Sequence, residues 1–241
     1  MHIHGTWGNF YENAFIHALA TVYSENGYSF ATVNVPGHDY ESVHEHLDDF
    51  YPAINEWLKV LNANEAPLIL QGHSLGAVKI ASVMTKEGLP PNTAGVVLLA
   101  PFDTVAFNSR GTDGDVSALH RRLDELITEG VDLVPSDLFE YWPISVKTLR
   151  ALTTVGGPWD QFPTRLGQAG AALTDVALPT LIAVGGNDFA STPDPASAVP
   201  ALAVSPKATG VVVPNAPHNF AGEEQRLCEL VAGWLKESSL A

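Results

Sequence analysis

The stretch Gln71-Gly72-His73-Ser74-Leu75-Gly76-Ala77 is the one against which the rest of the chain is read. An apolar run, Pro67 to Leu70, leads into it, and a helix-competent segment, Leu75 to Glu87, leads out. The pattern is Gly-x-Ser-x-Gly between a strand and a helix, the setting of a nucleophile elbow. A strand that turns at once into a helix forces its central residue into a strained backbone conformation. Side chains at the flanking positions would collide there, so Gly72 and Gly76 supply the space. Ser74 is then expected at the top of a sheet, with the positive end of the following helix facing any developing oxyanion. The chain has 20 glycines, so three fixed residues alone would carry little weight. The strand before and the helix after give the pattern its meaning.

The totals bound what surrounds this stretch. With 241 residues, 46% of them apolar, the chain can bury a sizeable core, in one large α/β domain or two small ones. No apolar run approaches the roughly 20 residues that a membrane span needs. Met1-His2-Ile3-His4-Gly5 has neither a basic region nor an apolar signal core, so a soluble cytoplasmic protein is expected. Cys228 is the single cysteine, which excludes an intrachain disulfide and a cysteine-based metal cluster. Twelve basic residues face 27 acidic ones, for a net charge of −15. That balance repels a phosphate backbone and argues against a nucleic-acid partner. The sequence does not reveal the oligomeric state.

Outward from the elbow, short apolar runs alternate with helical patterns, as in a parallel sheet with crossover helices. A first, short strand ends at Ile3. Asn13 to Asn26 reads as a helix with Phe15, Leu19 and Val22 on one face and Gly27 at its C′ position. Tyr28 to Val35 reads as a second strand. Ser42-x-x-Glu45 resembles a capping box opening a long amphipathic helix, which Pro52 should kink. Gly95 to Ala100 and Pro179 to Val184 are continuous apolar runs, suited to strands buried on both faces. Gly210 to Val213 reads as the last strand and Glu223 to Lys236 as the last helix. Between Phe102 and Leu178 the alternation breaks. Helical pieces at Ser117 to Glu129 and Ser145 to Leu152, with loops around Gly111-Thr112-Asp113-Gly114 and Gly156-Gly157-Pro158, mark a helical insertion.

A serine needs a base, an orienting acid and oxyanion donors before it can attack. In an open parallel sheet such groups gather at the carboxyl ends of the strands. His218 follows the last strand and can act as base and then acid. Asp188 follows Pro179 to Val184 and completes the chain order Ser, Asp, His. Asp103 closes the strand Gly95 to Ala100 and competes for the acid's place, whereas Asp194 lies farther along its loop. His2, His17, His44, His46 and His120 read as surface residues. His38 and His73 stand where they can line a pocket. The turn His4-Gly5-Thr6-Trp7-Gly8 can aim the Thr6 N–H at an oxyanion beside the N–H of Leu75, and Trp7 can wall an acyl pocket.

These residues together resemble the α/β-hydrolase superfamily. His4-Gly5-Thr6-Trp7-Gly8 is similar to its oxyanion turn, and Val33-Asn34-Val35-Pro36-Gly37-His38 to its Pro-Gly-His loop. Gly72-His73-Ser74-Leu75-Gly76 resembles its elbow, while Gly185-x-x-Asp188 and Pro217-His218 look like its acid and base loops. The resemblance implies an α/β fold with a mostly parallel sheet of about six strands and helices on both faces. It lacks the antiparallel strands that usually precede the oxyanion turn, so the sheet is shortened at that edge. Residues 1–101 and 179–241 would form the core and 102–178 a helical cap. Phe139, Tyr141, Trp142, Trp159 and Phe162 suggest a partly apolar roof, most of them serving to pack the cap on the core.

The expected function is a serine hydrolase acting on a small carboxylic ester, lactone or thioester. Ser74, His218 and Asp188 would form its triad, Thr6 and Leu75 its oxyanion hole, and no cofactor or metal would be needed. The same site also suits carbon–carbon bond hydrolysis, lyase chemistry or acyl transfer. A non-catalytic ligand-binding protein on this scaffold is the third reading, since fold does not fix function.

Overall fold

The computed structural model describes every residue except 12, 63–64, 111, 113–115 and 241. Six strands form one parallel sheet: β1 (His2–Ile3), β2 (Thr32–Val33), β3 (Leu68–His73), β4 (Thr93–Leu99), β5 (Thr180–Gly185) and β6 (Ala208–Val213). Their spatial order is β2-β1-β3-β4-β5-β6. The central strands are buried on both faces because helices cover both. Successive side chains separate cleanly. Ile69, Val97, Leu99, Leu181 and Ala183 pack beneath α1 (Ala14–Glu25) and, at the chain's end, α9 (Glu224–Glu237). Leu68, Leu70, Val96, Leu98, Ile182 and Val184 face the opposite way. There they meet α2 (Phe50–Asn62) and α3 (Leu75–Lys86).

Phe15, Leu19 and Val22 are buried on α1, and Gly27 beyond its end has a φ of +85°. The second strand is much shorter than Tyr28 to Val35. Its one neighbour, β1, offers two residues, so the ladder has nothing further to pair with. The helix expected from Ser42 begins at Phe50 instead, after two short 3₁₀ turns over Asp39–Val43 and Leu47–Asp49. Glu45 does not cap a helix. Its carboxylate is buried 2.6 Å from the ammonium of Lys79 on α3. Pro52 lies in the first turn of α2, where a missing N–H costs nothing.

Between β4 and β5 the described residues hold α4 (Thr104–Asn108), α5 (Val116–Thr128), α6 (Val146–Leu152), a 3₁₀ turn at Thr164–Leu166 and α7 (Ala171–Thr174). Helix α8 (Pro195–Leu202) links β5 to β6. α4 and α7 are too short to show a period, which is why the sequence does not announce them. Of the loop expected at Gly111-Thr112-Asp113-Gly114, all but Thr112 lies outside the described residues.

The Lys79–Glu45 pair ties the inserted segment to the elbow helix. Lys79 also donates to the Pro36 carbonyl at 3.0 Å, and its ammonium stands 5.3 Å from the Phe50 ring. The Glu45 carbonyl accepts from Ser145 Oγ and Thr148 Oγ1, at the start of α6. A Cβ on Gly37 would fall 2.3–2.5 Å from the Glu45 carboxyl group, so only glycine leaves room for the pair. Both charged groups are 1% exposed, so removing one partner strands the other. Lys79→Met should therefore lower stability by about 3–5 kcal/mol, and Lys79→Met with Glu45→Gln by clearly less. Urea midpoints of the two variants measure this. Equal losses would contradict it.

Candidate active site

Ser74 sits at the junction of β3 and α3 with φ +57° and ψ −125°, a conformation that costs on the order of 1–3 kcal/mol for a side-chain-bearing residue. Its N–H donates to the Leu99 carbonyl at 2.9 Å, and its carbonyl accepts from Ala77 at 2.9 Å. The flanking glycines have no freedom to be anything else. A Cβ on Gly72 would lie 2.4 Å from the Gly76 carbonyl oxygen, and one on Gly76 would lie 2.2 Å from that of Ile3. The elbow is thus pressed against itself and against the first strand, which pushes Ser74 outward.

The loops after β5 and β6 converge on it. His218 Nε2 lies 2.8 Å from Ser74 Oγ, and His218 Nδ1 lies 2.8 Å from Asp188 Oδ1. The Asp188 side chain is fully buried and that of His218 is 15% exposed. Asp188 Oδ1 also accepts the N–H of Ala190 at 2.8 Å. A carboxylate at Nδ1 fixes the proton there and leaves Nε2 free to accept from the serine. The two loops touch through Gly185, where a Cβ would fall 2.3 Å from the Ala216 carbonyl oxygen. Asp103 is otherwise engaged. It caps α4 through Ala106 N–H at 2.9 Å and pairs with Arg165 Nη1 at 2.7 Å. Asp194 caps α8 by accepting from Ser197.

The turn after β1 lies directly over the serine. A Cβ on Gly5 would sit 2.8 Å from Ser74 Cβ. Its Gly8 N–H closes back on the Gly5 carbonyl at 3.1 Å. The N–H groups of Thr6 and Leu75 donate to no acceptor among the described residues. Thr6, Trp7, Ser74 and His218 open together on a cavity of about 330 Å³. Of the five aromatic residues suggested as a roof, only Trp142 lines it. Phe139, Trp159 and Phe162 are buried in the core, and Tyr141 lines a separate cavity. His38 is not in the lining, being paired with Asp39 and Glu41.

A sequence model of the alpha/beta hydrolase family matches residues 2–232. The chain belongs to that family. Solved structures of the α/β-hydrolase fold agree. Est1E from Butyrivibrio proteoclasticus, with ferulic acid bound, superimposes with a TM-score of 0.70 at 17% identity, covering 100% of this chain and 88% of its own. A monoacylglycerol lipase from Paleococcus ferrophilus gives 0.65 at 16% identity, covering 98% and 93%. The siderophore hydrolase EstB from Aspergillus fumigatus gives 0.58 at 16%, covering 98% and 90%. No functionally curated sequence matches the chain. In the described residues no helix is long and apolar enough to cross a membrane, and no group of three or more metal-ligating side chains clusters.

Three imidazoles are buried in this α/β-hydrolase: His4 and His73 support loops at the site, and His2 lies between strands. Only one of them was expected near a pocket. His4 donates from Nδ1 to the Gly5 carbonyl at 2.8 Å and accepts the Val35 N–H at Nε2. That fixes the turn over Ser74. His73 donates from Nε2 to the His218 carbonyl at 2.9 Å, from beneath. His2, expected at the surface, is 1% exposed and bonded to Gln71, because β1 is an interior strand. The cavity wall adds Phe102, Phe107 and Phe189, which no motif marks. Phe102 and Phe189 do follow strands at their carboxyl ends, a usable signal. Phe107 sits on a five-residue helix and gives none.

Burial pushes the His4 ring down to about 4 and the His73 ring down to about 3, and holds His2 well below 6.5. In the unfolded chain these rings titrate near 6.5. Between the two ranges the unfolded state binds protons that the folded state refuses. Stability is therefore fully present above about pH 6.5 and falls as pH drops toward 4, by up to about 1.4 kcal/mol per pH unit for each ring. Urea midpoints should decline steadily from pH 6.5 to 4.5. His73→Gln, which keeps a donor for His218, should remove roughly a third of that slope. A midpoint unchanged over this range would contradict the account.

Proposed function

We propose that the chain is a serine hydrolase of carboxylic esters, lactones or thioesters. The observation that carries this is the unbroken chain Ser74 Oγ, His218, Asp188, with two contacts of 2.8 Å, opening on an apolar cavity. Ser74 Oγ attacks the acyl carbon as its proton passes to His218 Nε2. Asp188 holds the ring through Nδ1 and stabilises the imidazolium. The oxyanion lies between the unengaged N–H groups of Leu75 and Thr6. His218 then gives its proton to the leaving oxygen or sulfur, leaving an acyl-serine. Water attacks the acyl-serine with His218 again as base, releasing the acid and restoring Ser74. The similar structures include a monoacylglycerol lipase and a siderophore hydrolase, which supports the ester class. The segment 102–178 serves as the cap, placing Phe102, Phe107 and Trp142 over the serine. A cytoplasmic setting fits a chain with one cysteine.

Three substitutions separate this reading from its competitors. Ser74→Ala should abolish turnover of p-nitrophenyl acetate. Asp188→Asn should lower kcat by about 10⁴-fold, the size of effect known for a triad acid. Asp103→Asn should instead lower the melting temperature while sparing most of kcat, because its partners are a helix end and Arg165. Unchanged turnover in Ser74→Ala, or a larger loss of kcat in Asp103→Asn than in Asp188→Asn, would overturn the assignment.

A further inference from the structure

The cavity over Ser74 has a lining that ester hydrolysis does not itself require. Apart from Ser74, His218 and Thr6, it is made of Trp7, Phe102, Phe107, Trp142, Phe189 and Ala190. Five of these six are aromatic, and their angles are defined. Phe107 and Trp142 are nearly parallel, at 14° and 5.5 Å between centroids. Phe102 meets Phe107 edge-on at 80° and 5.4 Å. Phe102 and Phe189 stand 6.4 and 5.1 Å from the His218 ring. Among the described residues, no Asp, Glu, Lys or Arg lines the space. Arg110 stands beside this wall but does not line the cavity. Its guanidinium lies 4.5 Å from the Phe107 centroid and donates to the Phe189 carbonyl at 2.8 Å.

We propose, on the basis of the serine-hydrolase reading, that this site selects esters carrying an uncharged aromatic ring, held against Phe102, Phe107, Trp142 and Phe189. Size, shape and charge each point this way. An apolar cavity of about 150 Å³ takes one benzene. The space here, about 330 Å³, holds a ring together with an ester group and its linking atoms. Ring-on-ring contact at such angles adds to what burial of area alone supplies. A rigid ring also loses less rotamer freedom on binding than an alkyl chain of equal carbon number. A carboxylate on the substrate would lose its water in a cavity whose lining offers no cation, in a chain of net charge −15.

Matched ester pairs test this by kcat/KM. Ethyl 3-phenylpropanoate and ethyl nonanoate share a nine-carbon acyl group; 2-phenylethyl acetate and octyl acetate share an eight-carbon alcohol. In at least one pair the aryl member should be favoured tenfold or more. A para-carboxylate on that ring should cost at least tenfold, and the aryl preference should fall below threefold in Phe107→Leu and Trp142→Leu. Straight-chain members equal to or better than both aryl members would overturn the proposal and leave the hydrolase reading standing. So would turnover of p-nitrophenyl acetate with neither aryl ester turned over. So would tolerance of the para-carboxylate, or an aryl preference that survives both leucine variants, because selection would then not reside in this uncharged wall. Failure on all of these esters, p-nitrophenyl acetate included, would remove the hydrolase reading and this inference with it.

Discussion

Everything at the site depends on one steric constraint: α3 begins without any room between it and the strands β1 and β3. The Gly76 backbone lies against the carbonyl groups of Ile3 and His4, and Gly72 against Gly76 itself. No loop can form at that distance, so Ser74 must take the turn alone, at positive φ. Its cost of about 1–3 kcal/mol is small beside the burial of the residues around it. Leu75, Ala77, Val78 and Ala81 on α3 are fully buried, as are Val96, Leu98, Ile182 and Val184 on the sheet face that α3 covers. The strain persists because relaxing it would lift the helix off the sheet.

The loops above the sheet are packed through Phe102, Ala190, Ala216 and Phe220, and buried polar groups fix their geometry. His4 fixes the turn over Ser74 from both ring nitrogens. His73 supports the His218 carbonyl from below. Arg165 pairs with Asp103, and Asp188 is the carboxylate at His218. The Lys79–Glu45 pair anchors the inserted segment at the elbow helix. A buried ion pair contributes little net stability compared with a well-packed apolar replacement. Its consequence here is geometric: it sets where α6 and its neighbours stand relative to Ser74.

The sheet was legible from the sequence because its central strands are continuous apolar runs and the elbow pattern is short, local and sterically specific. Ser74, His218 and Asp188 could be singled out because parallel topology delivers residues that follow strands to one edge. What the sequence concealed was set by partners distant along the chain. Glu45 looked like a capping residue because Ser42 stands three positions earlier; its true partner is 34 residues away. Tyr28 to Val35 has strand composition, but pairing is limited by the two residues of β1. His2 looked peripheral because chain position says nothing about where a strand sits in the sheet. Asp188 meets His218 while Asp103 pairs with Arg165, and no spacing rule announces either contact.

The proposed chemistry requires Ser74 to be both reachable from the cavity and activated by a neighbouring imidazole. Reaction with a fluorophosphonate, followed by peptide mass mapping, measures both properties at one residue. The structure predicts a single adduct on the peptide containing Ser74, with labelling slowed by at least a hundredfold in His218→Gln. Labelling at another residue, no labelling, or a rate unchanged by His218→Gln would contradict the central claim.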